Sequence, residues 1–257
     1  MSQDFNQSKN NIFFSKKEEY GIPGVIVGVS QNGKIIYSKG FGYSDVENNI
    51  KAHPHTVMRI ASISKPITCT LAARLFQDGK LELDKPISYY LNDLPPLKWN
   101  NREVEITSRQ LMSHTSGIRH YEKNNKQEKP LSQPIKSDNN KENVEDTDEK
   151  SYKKLYSVKP VEIIGDSLFS EFFLNKHFKT TKEALELFIH DDLMFEPGKG
   201  YLYSTYAFTL LSAVLEQAQG KNSKFADMLT EFFKRLEMNE TYLDYNTPLI
   251  ANRSKYY

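Results

Sequence analysis

One cysteine, Cys69, is all that this 257-residue chain carries. That excludes an internal disulfide and is neutral between reducing and oxidising compartments. Long apolar runs are missing as well. None approaches the roughly 18 residues a membrane span needs, so no membrane span is expected. The first 20 residues lack the apolar centre of a secretory signal, and Asp4, Glu18 and Glu19 spoil them as a transit peptide. They read as a flexible N-terminus. No excess of charge exists either: 34 basic against 33 acidic residues leave +1. The balance gives no electrostatic reason to expect nucleic acid or an anionic membrane as partner. His53, His55 and His120 do not fall at metal-ligand spacing, and no metal or other cofactor is expected. Large aliphatics are almost absent from 122–160, which lowers the mean hydropathy to −0.62. Such a stretch cannot bury enough surface to offset its ordering entropy, so a charged, disordered insertion is expected there.

What remains is patterned. Val25-Ile-Val-Gly-Val-Ser30 and Ile35-Ile-Tyr37 are β-branched runs around Asn32-Gly33, the strongest short-range hairpin signal. Ile63, Ile67, Leu71 and Leu75 recur every four residues, with Ala72 and Phe76 alongside and Gly79 as a stop. Proline is tolerated only in the first turn of a helix, so Pro66 makes this one begin at about Ser62. Thr107-Ser-Arg-Gln110 and Thr180-Thr-Lys-Glu183 are helix-opening signatures. Ala207, Leu210, Leu211, Val214 and Ala218 form an apolar stripe closed by Gly220, and Phe225, Met228, Leu229, Phe232 and Leu236 form a last one. Clear strand signals stop after the first third of the chain.

The chemistry centres on Ser-x-x-Lys at 62–65. Residues three apart share a helix face, so a lysine amine can reach the serine hydroxyl. A lysine serving as base must give up its proton. Moving an amine from about 10.4 to near 7 costs roughly 4.6 kcal/mol, met by desolvation or a nearby cation. A helix N-terminus also offers the serine backbone N–H to a developing oxyanion. As a bare pattern the match is weak: chance supplies about one in a chain this size. Indeed Ser151-Tyr-Lys-Lys154 also matches, inside the charged insertion and without an apolar face. The 62–65 copy opens an apolar helix, where the plainer role for Ser62 is that of a helix N-cap. Cys69 reads as an inert thiol and His114 as a structural hydrogen-bonding residue.

Four blocks occur in order: Met58-Arg-Ile-Ala-Ser-Ile-Ser-Lys65, Gln77-Asp-Gly-Lys-Leu-Glu-Leu-Asp84, Leu111-Met-Ser-His-Thr-Ser-Gly117, and Pro197-Gly followed by Tyr203-Ser-Thr205. This series resembles the class C β-lactamase and low-molecular-weight penicillin-binding family. Ser-Gly-Ile-Arg-His-Tyr-Glu at 116–122, with its charged insertion, resembles in particular the animal mitochondrial branch. The resemblance covers about residues 20–122 and 180–257. It implies an α+β, β-lactamase/transpeptidase-like fold: an antiparallel sheet flanked by helices plus an all-helical region. The domain-like parts are then 21–121 and 161–257, around the 122–160 insertion and behind a flexible 1–20.

The resemblance also implies a serine hydrolase that forms an acyl-enzyme on Ser62, acting as peptidase, amidase or esterase. Lys65 and Tyr203 would handle protons, and no cofactor would take part. A small-molecule or peptide acyl substrate is the expected partner, a homo-oligomer is left open, and the implied location is mitochondrial. Tyr203-Ser204-Thr205 stands where the family has Tyr-x-Asn, and a threonine hydroxyl cannot donate and accept as a carboxamide does. The third family motif, Lys/His-Thr/Ser-Gly, is absent, so the chain reads as an N-terminal part with an incomplete sheet. Those two departures keep a rival open, a non-catalytic scaffold or assembly protein on the same fold.

Overall fold

The computed structural model describes residues 3–121, 171, 174, 176–220, 222–245 and 247–255. The insertion expected at 122–160 and the second Ser-x-x-Lys copy lie outside them. Two compact units divide the chain: Met1–Ser64 with Ala226–Tyr257, and Lys65–Phe225.

In the first unit, β1 (Gly24–Gln31) and β2 (Lys34–Asp45) pair antiparallel, as the β-branched runs require. Their two-residue turn places Asn32 at φ 50° and Gly33 at φ 73°, the geometry that favours Asn-Gly. A two-residue strand, β3 (Ile50–Lys51), extends the sheet in the order β1-β2-β3. It is too short to leave a period in the sequence. Within the segment expected to be a flexible N-terminus, Gln3–Glu19 forms a helix, α1. The Phe13 ring lies 6.3 Å from Tyr37 and 5.9 Å from Phe41 on β2, and the Tyr37 hydroxyl donates to Asn10 Oδ1 at 2.8 Å. Docking on the sheet, which a local window cannot register, orders an otherwise polar segment. The chain returns to this unit from Ala226 onward and meets Val57, whose N–H bonds Asn252 O and whose C=O accepts from Ser254 N–H.

The expected start at Ser62 resolves into a 3₁₀ turn, Ala61–Ile63, leading into α2, Ser64–Gln77. Pro66 falls within the first helical turn, where the N–H it lacks would have no helical acceptor. The buried stripe is Thr68, Leu71, Ala72 and Leu75. Ile63 is 64% exposed and Phe76 53% exposed, which corrects the expected stripe at both ends. Ile63 belongs to the 3₁₀ turn, whose three-residue period puts it out of phase with the helix. Gly79, at φ 70°, ends α2: Lys80 N–H bonds Leu75 O and Gly79 N–H bonds Phe76 O, the two bonds of a Schellman cap.

Further along the second unit, β4 (Lys98–Trp99) and β5 (Arg102–Glu103) form a ribbon around Asn100 and Asn101. Strand structure thus extends beyond the first third of the chain, into the region expected to be helical, in pieces too short for an alternating pattern. Among the described residues that follow are the helices α3 (Ser108–Met112), α4 (Thr181–Leu185) and α5 (Thr205–Gln219). Thr107 and Gln110 close the expected capping box, and Thr180 Oγ1 accepts from Glu183 N–H at 3.0 Å. Helix α5 packs against both α3 and α4. Its Leu210, Leu211, Val214 and Leu215 are fully buried, which makes it the axis of this core. Gly220 closes it, as the sequence indicates. The last helix, α6 (Phe225–Arg235), buries Leu229 and Phe233 and leaves Leu236 exposed.

Candidate active site

Two loops of the second unit run side by side. Met194 N–H bonds Gly117 O at 2.8 Å, Gly198 N–H bonds Thr115 O at 2.8 Å, and Leu202 N–H bonds His114 O at 3.0 Å. Gly117 is required in this register. Its φ is 82°, and a Cβ there would come within 2.5 Å of Phe195 O. The ladder brings the Leu111-Met-Ser-His-Thr-Ser-Gly117 block against the segment that enters α5.

That entry is held by three side chains. Ser204, the N-cap of α5, accepts from Ala207 N–H at 3.0 Å and donates its hydroxyl proton to Arg119 O at 2.7 Å. His114 Nδ1 accepts the Ser204 N–H at 3.1 Å, and His120 Nδ1 accepts the Thr205 N–H at 3.3 Å. The Tyr203 ring packs in the resulting corner, 4.5 Å from the His114 ring and 5.8 Å from His120, the latter edge-on. Tyr203 is 36% exposed. The Lys65 ammonium, from the first turn of α2, lies 4.7 Å from the Tyr203 ring centroid and 5.7 Å from that of Phe208. A cation over aromatic faces is an attractive contact, worth about 0.5–2 kcal/mol according to its desolvation.

The structure thus brings Lys65 and Tyr203 together, although 138 positions separate them in sequence. Ser62 belongs to the first unit, in the middle of the 3₁₀ turn and exposed, three residues ahead of Lys65 along the chain. Ala61, just before it, has φ 43°, in the left-handed region that non-glycine residues rarely adopt. Such backbone costs about 1–3 kcal/mol and tends to cluster at functional sites.

Electrostatics around the corner favour a neutral His114. Burial lowers the His114 pKa from its ordinary value, and the charge of Lys65 and then His120 lower it further. Burial likewise pushes the Cys69 thiol up, which holds it in the unreactive protonated form. Beneath the corner lies Arg119, only 5% exposed. Its guanidinium donates to both Glu171 oxygens, to Asp191 Oδ2, and to the carbonyls of His120 and Leu187, at 2.7–2.9 Å. Burial works against this charge, but the hydrogen bonds and charges of Glu171 and Asp191 outweigh it and hold the guanidinium above its ordinary value. The Tyr206 hydroxyl joins the network at Glu171 Oε2, 3.0 Å away.

Sequence reasoning did not assign Arg119 or Phe208, and it weighed His120 only as a metal ligand. The signal for Arg119 and His120 was present in Ser-Gly-Ile-Arg-His-Tyr at 116–121, without a pointer to what these side chains bond. Tyr90, which has Asn92 two residues on where Tyr203 has Thr205, lies elsewhere: its hydroxyl accepts from Glu82 N–H at 2.7 Å. His53 and His55 are engaged locally, His55 Nδ1 lying 2.9 Å from Glu240 Oε2. Among the described residues no group of three or more His, Cys, Asp or Glu side chains is placed to hold a metal ion.

This fold, with a Ser-x-x-Lys segment at the start of α2, is that of the β-lactamase/transpeptidase class. The Beta-lactamase family model matches residues 10–257, and the chain belongs to that family. It is 37% identical to the human "Serine beta-lactamase-like protein LACTB, mitochondrial" over 98% of its own length and 49% of that protein's. The chain spans about half the length of the curated relatives it matches over nearly its whole extent. Among solved structures it is similar to "EstCE1, a hydrolase with promiscuous acyltransferase activity", with a TM-score of 0.62 and 26% identity over 87% of this chain and 49% of that one. The fold is shared with "A class C beta-lactamase" at a TM-score of 0.64 and 17% identity, over 95% of this chain and 52% of the other.

Proposed function

We propose that this chain carries the nucleophilic machinery of a serine hydrolase acting on amide or ester carbonyls, with Ser62 as nucleophile and Lys65 and Tyr203 as proton-handling partners. The observation that supports it most is the convergence of Lys65 and Tyr203, with Ser62 tied to Lys65 by only two intervening residues. In the proposed cycle the Ser62 oxygen attacks the carbonyl carbon and its proton passes to the Lys65/Tyr203 pair. The pair then returns a proton to the departing amine or alcohol. Water cleaves the acyl-serine ester and restores the hydroxyl. The structural neighbour described as a hydrolase with promiscuous acyltransferase activity supports acyl transfer as the reaction type. The mitochondrial designation of the relatives supports the same compartment for this protein, which fractionation of expressing cells would test.

Mapping of adducts tests the chemistry. A fluorophosphonate probe should label Ser62 alone, and Ser62→Ala should abolish labelling and lower ester turnover by about 10³-fold or more. Labelling that survives Ser62→Ala would overturn the assignment. One observation favours the rival scaffold reading: Thr205, in place of the family's asparagine, opens α5 with its N–H on His120. A protein that shows no adduct at all, while folded, would support that reading.

A further inference from the structure

We infer that His114 and His120 are positioning residues for Tyr203: each is a neutral imidazole with its proton on Nε2, and each uses Nδ1 to grip one of the two backbone amides that follow the tyrosine. The inference rests on the reading of Tyr203 as a proton-handling residue and says what holds it there. The two amides are consecutive, Ser204 N–H on His114 Nδ1 at 3.1 Å and Thr205 N–H on His120 Nδ1 at 3.3 Å. A ring nitrogen that accepts a hydrogen bond carries no proton, so the proton of the neutral ring must sit on Nε2.

The entry to α5 would ordinarily leave its first amides to water or to its own N-cap. Here Ser204 Oγ takes Ala207 N–H, and the histidines take the amides of Ser204 and Thr205, which fixes the chain on the C-terminal side of Tyr203. The N-terminal side is fixed by Leu202 N–H on His114 O, so His114 holds Tyr203 from both directions. Each histidine also touches the phenol with its ring.

The histidines are themselves aimed. His114 sits at φ 59°, an unfavourable backbone state sustained by His114 N–H on Leu111 O and Thr115 N–H on Gln110 O. His120 O accepts from the buried Arg119, whose own carbonyl takes the Ser204 hydroxyl. Burial first and then the charge of Lys65 on α2 disfavour an imidazolium at His114. The charge of Arg119 next to His120 is matched by Glu171 and Asp191, so at His120 it is the Thr205 N–H that requires a bare Nδ1. Protonation would turn each acceptor into a donor pointed at an N–H. Tyr203 would then lose both anchors and with them its place beside Lys65.

Four variants of the full chain, His114→Ala, His114→Asn, His120→Ala and His120→Asn, test this. Asparagine keeps an acceptor, its Oδ1, near the position of Nδ1. Long-range ¹⁵N–¹H spectra of the wild type should show both rings as Nε2–H neutral tautomers at pH 7. Nuclear Overhauser contacts between the Lys65 side chain and the Tyr203 ring should disappear in the alanine variants and persist in the asparagine ones. The rate of Ser62 acylation should fall at least tenfold in each alanine variant, with substrate KM little changed, and recover largely with asparagine. An Nδ1–H tautomer, an imidazolium at pH 7, or Lys65–Tyr203 contacts that survive both alanine changes would overturn the inference. Because the tautomer and contact readouts need no turnover, absence of acylation in the wild type would count against the proposed function alone.

Discussion

Arg119 gathers more charge-assisted contacts than any other described residue near the candidate site. With its side chain 5% exposed, it satisfies two carboxylates and two carbonyls at once. Such a buried pair is weak as a source of net stability but expensive to break, because removing one partner strands the other's charge. Arg119→Ala should therefore lower stability by about 3–5 kcal/mol in urea unfolding. Arg119→Lys should recover little, since a lysine cannot present the planar fork that meets both Glu171 oxygens. A loss under about 1 kcal/mol, the range of an exposed pair, would show that Arg119 is not the clamp described. The sequence showed the residue within the Ser-Gly-Ile-Arg-His-Tyr block but not what it bonds. Its partners, Glu171 and Asp191, lie 52 and 72 positions away.

At the scale of elements, local rules and tertiary contacts divide the work clearly. Asn32-Gly33 sets the β1–β2 hairpin, and Thr107, Thr180 and Ser204 set three helix starts, because each needs only neighbours within a few residues. Ser204 does more than cap, since its hydroxyl also reaches Arg119 O from a fully buried position. Ser204→Ala should cost about 2 kcal/mol, the upper end for loss of an N-cap, whereas Thr107→Ala, on a five-residue helix, should cost about 1 kcal/mol. Thermal melts of the two variants give the comparison, and an equal or reversed order would show that the Arg119 bond adds nothing. Helix α1 is the opposite case. Its sequence is polar and weakly patterned, and its order depends on Phe13 and Asn10 meeting β2.

For the molecule as a whole, pH should act in two windows. His114 has a folded pKa below its unfolded value of about 6.5, chiefly through burial. The unfolded chain then binds the proton more readily, so the associated stability is fully present above about pH 6.5 and is lost as pH falls through the folded pKa. Asp45 and Asp84 are also lowered, Asp45 first by Asn48 and Asp84 first by Arg109. Their contribution is present above about pH 4 and is lost below it. Melting temperature should thus fall from pH 7 to 5 and again below 4, and His114→Asn should flatten the first fall. An unchanged first slope in that variant would remove His114 from the account.

What the sequence determined by itself is the set of features that close over short distances: the hairpin turn, the helix caps, the Gly79 stop, and the order of blocks that marks the β-lactamase family. It also placed Lys65 in the first turn of an apolar helix, with Ser62 just ahead of it, because Pro66 is tolerated in that turn and not further in. Tertiary structure decided which face of that helix is buried, that Lys65 meets Tyr203, and that two histidines grip the amides of Ser204 and Thr205. The reason is range. A cap or a turn satisfies its hydrogen bonds within one window of chain, whereas His114 and His120 find their partners 90 and 85 residues away, where only the packed loops can bring an acceptor to a donor.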